Sequence, residues 1–292
     1  MLYIWLRAIR IKFLLASVIA VSNGLAIAYW KTGTIDPLSA VLTYIGVVFL
    51  HASVDLLNDY WDYKRGIDGV TTRTKFSGGT GVLPEKLLTP KVVYVAGLIF
   101  LILGASIGAY FVAMRGITIA VILGFAVVSI YFYSTSIVNA GLGELFVAIK
   151  GAMIVLGTFY VQSMAIEPAA LYVGAIVGIL SATVLFVNSF PDFEADRSKG
   201  RRTLVIVLGR ELAAKTFPLF VVAAYVMIIM GIFLGFTKVY YLLSLASIPF
   251  AAKSIMSLTN DQQSFKRLVP AMASAVTYSR ITGSLLALSL IF

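Results

Sequence analysis

The stretch VVYVAGLIFLILGASIGAYFV, residues 92–112, contains 21 consecutive residues and no charged side chain. A helix needs about 20 apolar residues to cross the hydrocarbon core of a bilayer, so this stretch predicts a transmembrane helix. Similar runs lie near residues 13–30, 38–57, 117–135, 143–163, 169–190, 216–236, 239–257 and 270–291. The pattern predicts an all-α, polytopic membrane protein with nine transmembrane helices.

The composition of the whole chain agrees with this fold class. Its 292 residues are 60% hydrophobic and 12% charged, and the mean hydropathy is +0.96, outside the range of soluble globular proteins. We expect one transmembrane domain covering residues 1–292. Cysteine is absent and His51 is the only histidine, which excludes disulfides, thiolate sites and Ser-His-Asp catalysis.

The net charge of +10 is distributed as membrane topology requires, which argues against a nucleic-acid partner. Connections on one side hold only Lys31, Arg115 and Lys238, whereas most other Lys and Arg residues lie on the opposite side. Because short loops rich in Lys and Arg stay in the cytoplasm, we expect an integral plasma-membrane protein with a cytoplasmic N-terminus. Two long connections, residues 63–91 and 193–215, then form cytoplasmic caps.

An acidic cluster opens the first long connection, in the sequence NDYWDYKRGID. It supplies Asn58, Asp59, Asp62 and Asp68, and His51 and Asp55 precede it by one or two turns. If this span stays helical, the polar residues from 51 to 62 fall within about 80° on one helix face. Carboxylates in or near hydrocarbon are costly, so their presence indicates a functional site.

A second acidic cluster opens the other long connection, in the sequence NSFPDFEADRSKGRRT. Asn188, Asp192 and Asp196 follow one another at steps of four and would share a helix face. Glu194 points away under that geometry and is interpreted as a solvated loop acid. Pro191 should disturb the helix and free backbone carbonyls where the polar groups gather.

Two groups of carboxylates can face each other in a cavity of low dielectric constant only with cations between them. Magnesium is the best candidate, because it takes oxygen ligands and is commonly held by one or two carboxylates plus substrate phosphates. Basic residues beside the clusters could contact the phosphate oxygens: Lys64, Arg65, Arg73, Lys75, Arg197, Lys199, Arg201 and Arg202. The alternative is that the acids lie at wet helix ends and the bases only set the topology.

The paired motifs, Asn-Asp-x-x-Asp with a further Asp downstream and Asp-x-x-x-Asp more than a hundred residues later, resemble those of the UbiA superfamily of intramembrane prenyltransferases. The resemblance implies a nine-helix bundle around a central cavity, open sideways to lipid, with the active site on the cytoplasmic side. It also implies a prenyl diphosphate held through two Mg²⁺ ions. The implied ligands are Asn58, Asp62, Asp68, Asn188, Asp192 and Asp196, with Asp59 also in the catalytic set.

Within the superfamily, three features are most similar to 1,4-dihydroxy-2-naphthoate polyprenyltransferases. These are the Asp62 to Asp68 spacing and the segments SGGTGVLP (residues 77–84) and GLGELFVAIKG (residues 141–151). The Arg-Pro pattern of haem-farnesylating or archaeal ether-lipid relatives is missing. The Tyr-x-x-x-Lys motif is also missing, since Thr135 and Ile137 stand four residues after the two candidate tyrosines.

The implied reaction is ionisation of an allylic diphosphate and attack on the allylic cation by an electron-rich aromatic carbon. Aromatic side chains could shield the cation, and Tyr131 is one candidate, although packing explains any single aromatic as well. Lys150, two turns inside its span, could orient an acidic acceptor or neutralise Asp59, or it could snorkel to the interface. Arg10 could bind an acceptor carboxylate, as the first helix does in relatives. Three buried-span polar residues have no assignment: Asn23, Gln162 and Arg280.

Two other classes of protein compete with this hypothesis. Lipid-head phosphotransferases also use membrane aspartates, but the chain lacks their D-G-x-x-A-R and G-x-x-x-D-x-x-x-D patterns. A cation-coupled carrier would place its acids at the middle of the spans, whereas most acids here lie at the cytoplasmic ends. Prenyl transfer to an ether-lipid or haem-precursor acceptor remains open within the superfamily. Magnesium-dependent binding of a prenyl diphosphate separates the enzyme from the carrier.

Overall fold

The computed structural model describes residues 1–291, and every regular element within them is helical. A π-helical turn (Tyr133–Ile137) and a 3-10 turn (Val138–Ala140) follow the α-helix that ends at Phe132, and a 3-10 helix (Val239–Ser247) precedes the α-helix that begins at Ile248. The α-helices are α1 (Leu2–Ala8), α2 (Ile11–Thr32), α3 (Pro37–Lys64), α4 (Pro90–Arg115), α5 (Ile117–Phe132), α6 (Gly143–Ser163), α7 (Pro168–Asn188), α8 (Phe193–Ser198), α9 (Leu204–Leu208), α10 (Arg210–Phe233), α11 (Ile248–Asn260) and α12 (Phe265–Ser289).

Eight helical segments of the described chain are long and apolar enough to cross a membrane. They are α2, α3, α4, α6, α7, α10 and the segments Ile117–Ala140 and Val239–Asn260. The predicted span at residues 270–291 coincides with α12, a helix of 25 residues that carries Arg280 and is not among the eight. The all-α, polytopic fold is confirmed, and nine crossings stays a prediction.

The outer surface of the bundle is apolar, as a lipid-facing surface must be. Ile102, Val121 and Phe233 are 63%, 66% and 79% exposed. Side chains of this kind in such numbers would form an aggregation-prone patch on a soluble protein. Their exposure therefore marks the lipid-facing side of α4, α5 and α10.

Proline and a capping side chain start several helices. α3, α4 and α7 each have proline in the first turn, where its missing N–H costs no hydrogen bond. Asp36 caps α3 by accepting a bond of 3.1 Å from the Ser39 N–H, and Thr89 accepts one of 3.4 Å from the Val92 N–H at the start of α4. Each cap fixes the residue at which its helix begins. For α3, this is the helix whose other end carries the first acidic cluster.

The helices around the start of the second cluster, α6, α7 and α10, are packed tightly. α6 and α7 meet through glycines, and a Cβ on Gly151 would lie 2.9 Å from the Cα of Gly178. Small residues let membrane helices approach in this way. At the end of α7, Phe186 stacks on Phe217 of α10 with ring centroids 6.2 Å apart. This packing fixes the end of α7 from which Asn188 projects.

The structure departs from the sequence-based expectation where regular helices end. The predicted span at 117–135 loses its regular α-helix at Phe132 and continues as a π-helical turn. α7 ends at Asn188 and α8 begins at Phe193, so Asn188, Asp192 and Asp196 do not share one continuous helix face. Pro191 lies in this break, as its missing N–H and its ring disfavour an uninterrupted helix.

Candidate active site

A cavity of about 410 Å³ lies inside the bundle, walled mainly by α2 to α7. Most of its wall is apolar. Its polar groups gather where the end of α3 meets the chain after α7. Both acidic clusters contribute to that wall, through Asn58, Asp62, Asn188, Asp192 and Asp196.

The first cluster projects from α3, which remains helical from Pro37 to Lys64. His51, Asp55, Asn58 and Asp62 line the cavity from successive turns, as expected for one helix face. The Asn58 amide donates to Asp62 Oδ2 at 3.0 Å, and its Oδ1 accepts from the Ser134 hydroxyl at 2.7 Å. These bonds orient the Asp62 carboxylate toward the second cluster.

Arg201 joins the two clusters. Its Nη2 donates to Asp62 Oδ1, and its Nη1 lies 3.4 Å from Asp196 Oδ1. The same Nη2 lies 3.4 Å from Asn58 Oδ1. The Arg201 side chain is only 10% exposed, and Arg201 and Asp62 are 139 residues apart in sequence. The clusters therefore meet across the cavity with a buried guanidinium between them.

Asp59 points from α3 toward the N-terminal segment. Arg10 Nη2 lies 3.0 Å from Asp59 Oδ1, and the Thr80 hydroxyl donates to Asp59 Oδ2. Arg10 has a left-handed backbone with φ 47° at the start of α2, and it also lines the cavity. Its partner in this structure is the acidic cluster, so the role in binding an acceptor carboxylate stays a prediction.

A glycine-rich loop, residues 77–81 of the first long connection, contacts both acidic clusters. The Gly78 N–H donates to Asp192 Oδ2 at 3.1 Å. Gly79 has φ 71°, and a Cβ there would lie 2.8 Å from Asp68 Oδ1. Arg7 Nε donates to the Thr80 carbonyl at 2.7 Å. Backbone that only glycine adopts easily thus lies directly over both groups of carboxylates.

The carboxyl groups outside the spans are strongly affected by burial. Burial, reinforced by the neighbouring charges of Asp59 and Asp62, raises the pKa of Asp68 to about 8. Burial likewise raises the pKa of Asp192 to about 7, helped by Asp196. It raises the pKa of Asp196 to about 6, where Arg201 offsets part of the effect. A cation bound here would favour the ionised forms of all three.

Unpartnered oxygens at this end of the cavity fit a hard cation. Asp68 Oδ2, Asn188 Oδ1 and Asp192 Oδ1 are buried without a hydrogen-bond partner among the described residues. Within residues 1–291, no group of three acidic or histidine side chains is arranged to hold an ion alone. Magnesium bound with a diphosphate needs only one or two carboxylates, since phosphate and water complete its shell. The donor set therefore fits magnesium together with a phosphorylated ligand.

Several predicted substrate contacts lie away from the cavity wall. Arg73 is half-buried, and its guanidinium lies 3.3 Å from Glu85 Oε1 and 3.4 Å from the Asp68 carbonyl. Arg65 is also half-buried outside the wall and donates to Asn139 Oδ1 at 2.9 Å. The remaining predicted bases outside the wall are exposed: Lys64, Lys75, Arg197, Lys199 and Arg202. Tyr131 is 37% exposed and also lies outside the wall, whereas Tyr133 lines it. Glu194 has 70% side-chain exposure, as expected for a solvated acid, but it lies in α8 and not in a loop.

The intramembrane polar residues that the sequence left unassigned are mainly structural. Asn23 donates to the Gly283 carbonyl at 2.9 Å and links α2 to α12. Gln162 exchanges two hydrogen bonds with the backbone of Asp36, at 2.8 and 3.2 Å. Arg280 donates to the backbone of the first turn of α2 at 2.5 Å and lines the cavity. Lys150 also lines the cavity, in the middle of the apolar wall of α6.

Sequence reasoning missed Thr80 and Ser134 as partners of the first cluster. Both are hydroxyl residues, which are common everywhere, and their sequence neighbours are ordinary. Ser134 lies in the π-helical turn, a feature often found at functional sites but without a signature in this sequence. Thr80 had one available signal, its place in the segment SGGTGVLP.

Comparison with known proteins identifies the class to which this fold and site belong. The UbiA prenyltransferase family matches residues 16–276, so the chain belongs to this family and is a prenyltransferase. The chain is 31% identical to 1,4-dihydroxy-2-naphthoate octaprenyltransferase of Escherichia coli (strain K12), over 70% of this chain and 68% of the relative. It is 24% identical to the Bacillus subtilis (strain 168) enzyme of the same name, over 95% and 89%.

A third relative and two solved structures extend the comparison. The 2-carboxy-1,4-naphthoquinone phytyltransferase of Synechocystis sp. is 26% identical, over 86% of this chain and 81% of the relative. A structure of digeranylgeranylglyceryl phosphate synthase shares the fold with TM-score 0.68, 17% identity and 99% and 98% coverage. A UbiA homologue of Archaeoglobus fulgidus, bound to GPP and Mg²⁺, gives TM-score 0.66, 14% identity and 97% and 99% coverage. The predicted family and fold class are confirmed.

Proposed function

We propose that this prenyltransferase moves a polyprenyl group from an allylic prenyl diphosphate to an aromatic quinone precursor of the hydroxynaphthoate type. The observation that carries the proposal is the junction of Asp62, Asp196 and Arg201 at the end of an apolar cavity. Such a junction suits a ligand with a charged diphosphate head and a hydrocarbon tail. Sequence relatives that act on hydroxynaphthoate or carboxynaphthoquinone acceptors support the choice of acceptor.

Magnesium is the proposed cofactor, as two ions bound with the diphosphate. Its candidate protein ligands are Asn58, Asp62, Asp68, Asn188, Asp192 and Asp196. When bound, magnesium supplies positive charge that stabilises the departing diphosphate. The A. fulgidus homologue binds Mg²⁺ together with GPP, which supports this assignment.

The chain's own groups complete the site. Arg201 and Arg10, both in the cavity wall, can contact diphosphate oxygens when their carboxylate partners turn to the metal. The C–O bond of the allylic diphosphate breaks with its electron pair leaving on the diphosphate. A ring carbon of the acceptor then bonds to the allylic carbon and loses either a proton, which the released diphosphate takes up, or a carboxylate as CO2. The apolar wall excludes water from the cation, and Tyr133 places an aromatic ring in that wall.

The positive-inside pattern of the loops supports a cytoplasmic location for the diphosphate end of the cavity, in the plasma membrane. Water-soluble magnesium and aromatic acids would then enter from the cytoplasm. The prenyl chain would enter from the lipid. Only the acidic end of the cavity must reach water for this route to operate.

An ether-lipid acceptor is the runner-up. Its support is the fold shared with digeranylgeranylglyceryl phosphate synthase at 17% identity, which speaks to fold alone. Relatives at 24 to 31% identity that cover most of the chain carry naphthoate or naphthoquinone names. A cation-coupled carrier is disfavoured, because the acids lie together at one end of the cavity beside Arg201.

The test is product formation by the purified protein in detergent. The assay supplies 1,4-dihydroxy-2-naphthoate or a glycerol-phosphate lipid acceptor, with prenyl diphosphates of graded length, and mass spectrometry reads the products. We expect a prenylated naphthalene product that EDTA abolishes and Mg²⁺ restores. Transfer only to the glycerol lipid, or transfer that is indifferent to EDTA, would contradict the proposal.

A further inference from the structure

A second group of polar side chains lies deeper in the cavity than the acidic clusters. Ser17 of α2, His51 and Asp55 of α3 and Lys150 of α6 all belong to its wall. The Ser17 hydroxyl lies 2.7 Å from His51 Nδ1, and His51 Nε2 lies 3.8 Å from Asp55 Oδ2. We call these four residues the inner polar group. Three helices that are separate in sequence bring it together.

The inner polar group is distinct from the diphosphate end of the cavity. Along α3, Asp55 is seven residues before Asp62, which is about 10 Å at a rise of about 1.5 Å per residue. At the diphosphate end, Arg10 pairs with Asp59 and Arg201 with Asp62, and magnesium is the proposed counter-ion of Asp68 and Asp192. Lys150 is therefore not needed to balance those clusters.

The charged members of the inner polar group lack partners of their own. Lys150 makes no hydrogen bond or ion pair with any of residues 1–291, although it lines the same cavity as Asp55. Asp55 Oδ2 is buried without a hydrogen-bond partner in the same part of the chain. Charged side chains inside a membrane protein normally pair with each other or face a ligand. A ligand that supplies both partners would satisfy this pair.

We infer that the inner polar group binds the acceptor, and that the acceptor is an aromatic ring bearing an anionic group and a hydroxyl on neighbouring carbons. Lys150 pairs with the anion, and Asp55 accepts a hydrogen bond from the hydroxyl. His51, whose Nδ1 contacts the Ser17 hydroxyl, lies beside Asp55 and limits the directions in which that carboxylate can turn, as a positioning residue. The inference rests on the proposed function and specifies which end of the cavity receives each substrate.

For transfer to occur in this arrangement, the reacting carbons must meet between the two polar groups. A prenyl diphosphate held at Asp62 and Arg201 directs its allylic carbon into the cavity, toward the next turns of α3. An aromatic ring bound to Lys150 and Asp55 then lies between the diphosphate and the apolar wall. The acceptor ring and the allylic carbon meet without either substrate displacing the other.

The test measures ligand binding without magnesium or prenyl diphosphate, by calorimetry in detergent. The probes are 1-hydroxy-2-naphthoate, 2-naphthoate and 1-naphthol, which separate the anion from the hydroxyl. We expect Lys150→Met to weaken 1-hydroxy-2-naphthoate and 2-naphthoate about tenfold to a hundredfold and to leave 1-naphthol unchanged. Asp55→Ala removes both acceptor oxygens and should weaken 1-naphthol, whereas 2-naphthoate, which has no hydroxyl, should lose no affinity. Lys150→Arg should restore most of the affinity for the anions.

Lys253→Met is the matched control, because Lys253 also lies in a membrane helix, α11, but is exposed and outside the cavity wall. Steady-state kinetics of the same variants should show a raised KM for the acceptor and an unchanged KM for the prenyl diphosphate. Equal naphthoate affinity in wild type and Lys150→Met would overturn the inference while leaving magnesium-dependent transfer intact. Lysine-dependent binding in a protein that transfers no prenyl group would instead overturn the proposed function and keep the binding site.

Discussion

Arg201 occupies an unusual position for a membrane protein, a buried cation shared by acids from two distant segments. Its contacts with Asp62 and Asp196 replace the solvation that both carboxylates lose. Removing one partner of a buried ion pair leaves an uncompensated charge, which costs about 3–5 kcal/mol in comparable cases. Before any substrate binds, this side chain is the main link between the two clusters.

We predict that Arg201→Met lowers the thermal midpoint of the metal-free protein and weakens binding of a prenyl diphosphate. The expected destabilisation is about 3–5 kcal/mol, reduced where Asp196 takes up a proton. Differential scanning fluorimetry in detergent measures it. Arg202→Met is the control, because Arg202 is the exposed neighbour. Identical midpoints for the two variants would show that the bridge contributes nothing to stability.

The buried carboxyls predict an unusual pH dependence of stability. Exposed carboxyls in the unfolded chain titrate near pH 4, whereas the folded pKa values of Asp68 and Asp192 are about 8 and about 7. Between these limits the folded protein binds more protons than the unfolded chain, so stability falls as pH rises. In EDTA the thermal midpoint should decrease from pH 5 to pH 8. Mg²⁺ should stabilise the protein more at pH 8, because it requires ionised ligands. A midpoint that rises over this range in EDTA would contradict the account.

At the scale of elements, the glycine-rich loop and the interrupted end of α7 shape the site. α3 presents its acids from one continuous helix. The helical spacing of these residues in the sequence predicts this arrangement. The second cluster depends on a broken helix and on a loop that crosses above it. Pro191 marks this break in the sequence. The pattern does not say where the residues after the break lie, so the bridge by Arg201 could not be predicted.

The loop yields a prediction with an internal control. Gly79→Ala combines a left-handed backbone with crowding, since its Cβ would lie 2.8 Å from Asp68 Oδ1. Gly33→Ala also has a left-handed backbone, φ 72°, with open space around the Cβ. Both variants should lose about 1–2 kcal/mol of stability from backbone strain.

Only Gly79→Ala should also weaken Mg²⁺-dependent binding of a prenyl diphosphate, because it displaces Asp68. Isothermal titration in detergent measures that affinity. Equal affinities for the two alanine variants would show that the loop does not position Asp68.

At the scale of the whole molecule, the sequence predicted the helical membrane fold and both clusters because each depends on local patterns. Long apolar runs report helices directly, and charged groups in hydrocarbon are rare enough to stand out. Contacts between distant segments carry no such signal. Arg201 was only one of several loop bases until the fold placed it between Asp62 and Asp196, while Arg197 and Lys199, four and two residues earlier, are exposed.

The same limit applies to the substrate contacts expected from the loops. The sequence alone does not separate five residues as candidate substrate contacts: Lys75, Arg202, Tyr131, Arg10 and Tyr133. Only Arg10 and Tyr133 of these five lie in the cavity wall. Side-chain direction at helix ends depends on caps and irregular turns, such as the left-handed residue at Arg10 and the π-helical turn at Tyr133.

The central claim is that two acidic clusters jointly hold one diphosphate through magnesium. Calorimetric titration of the detergent-purified protein with a non-reactive prenyl thiolodiphosphate, with and without Mg²⁺, measures this most directly. We expect Mg²⁺-dependent binding whose affinity falls at least about tenfold in both Asp62→Ala and Asp192→Ala. The control Glu194→Ala should keep the wild-type affinity. Wild-type affinity in either aspartate variant would contradict it.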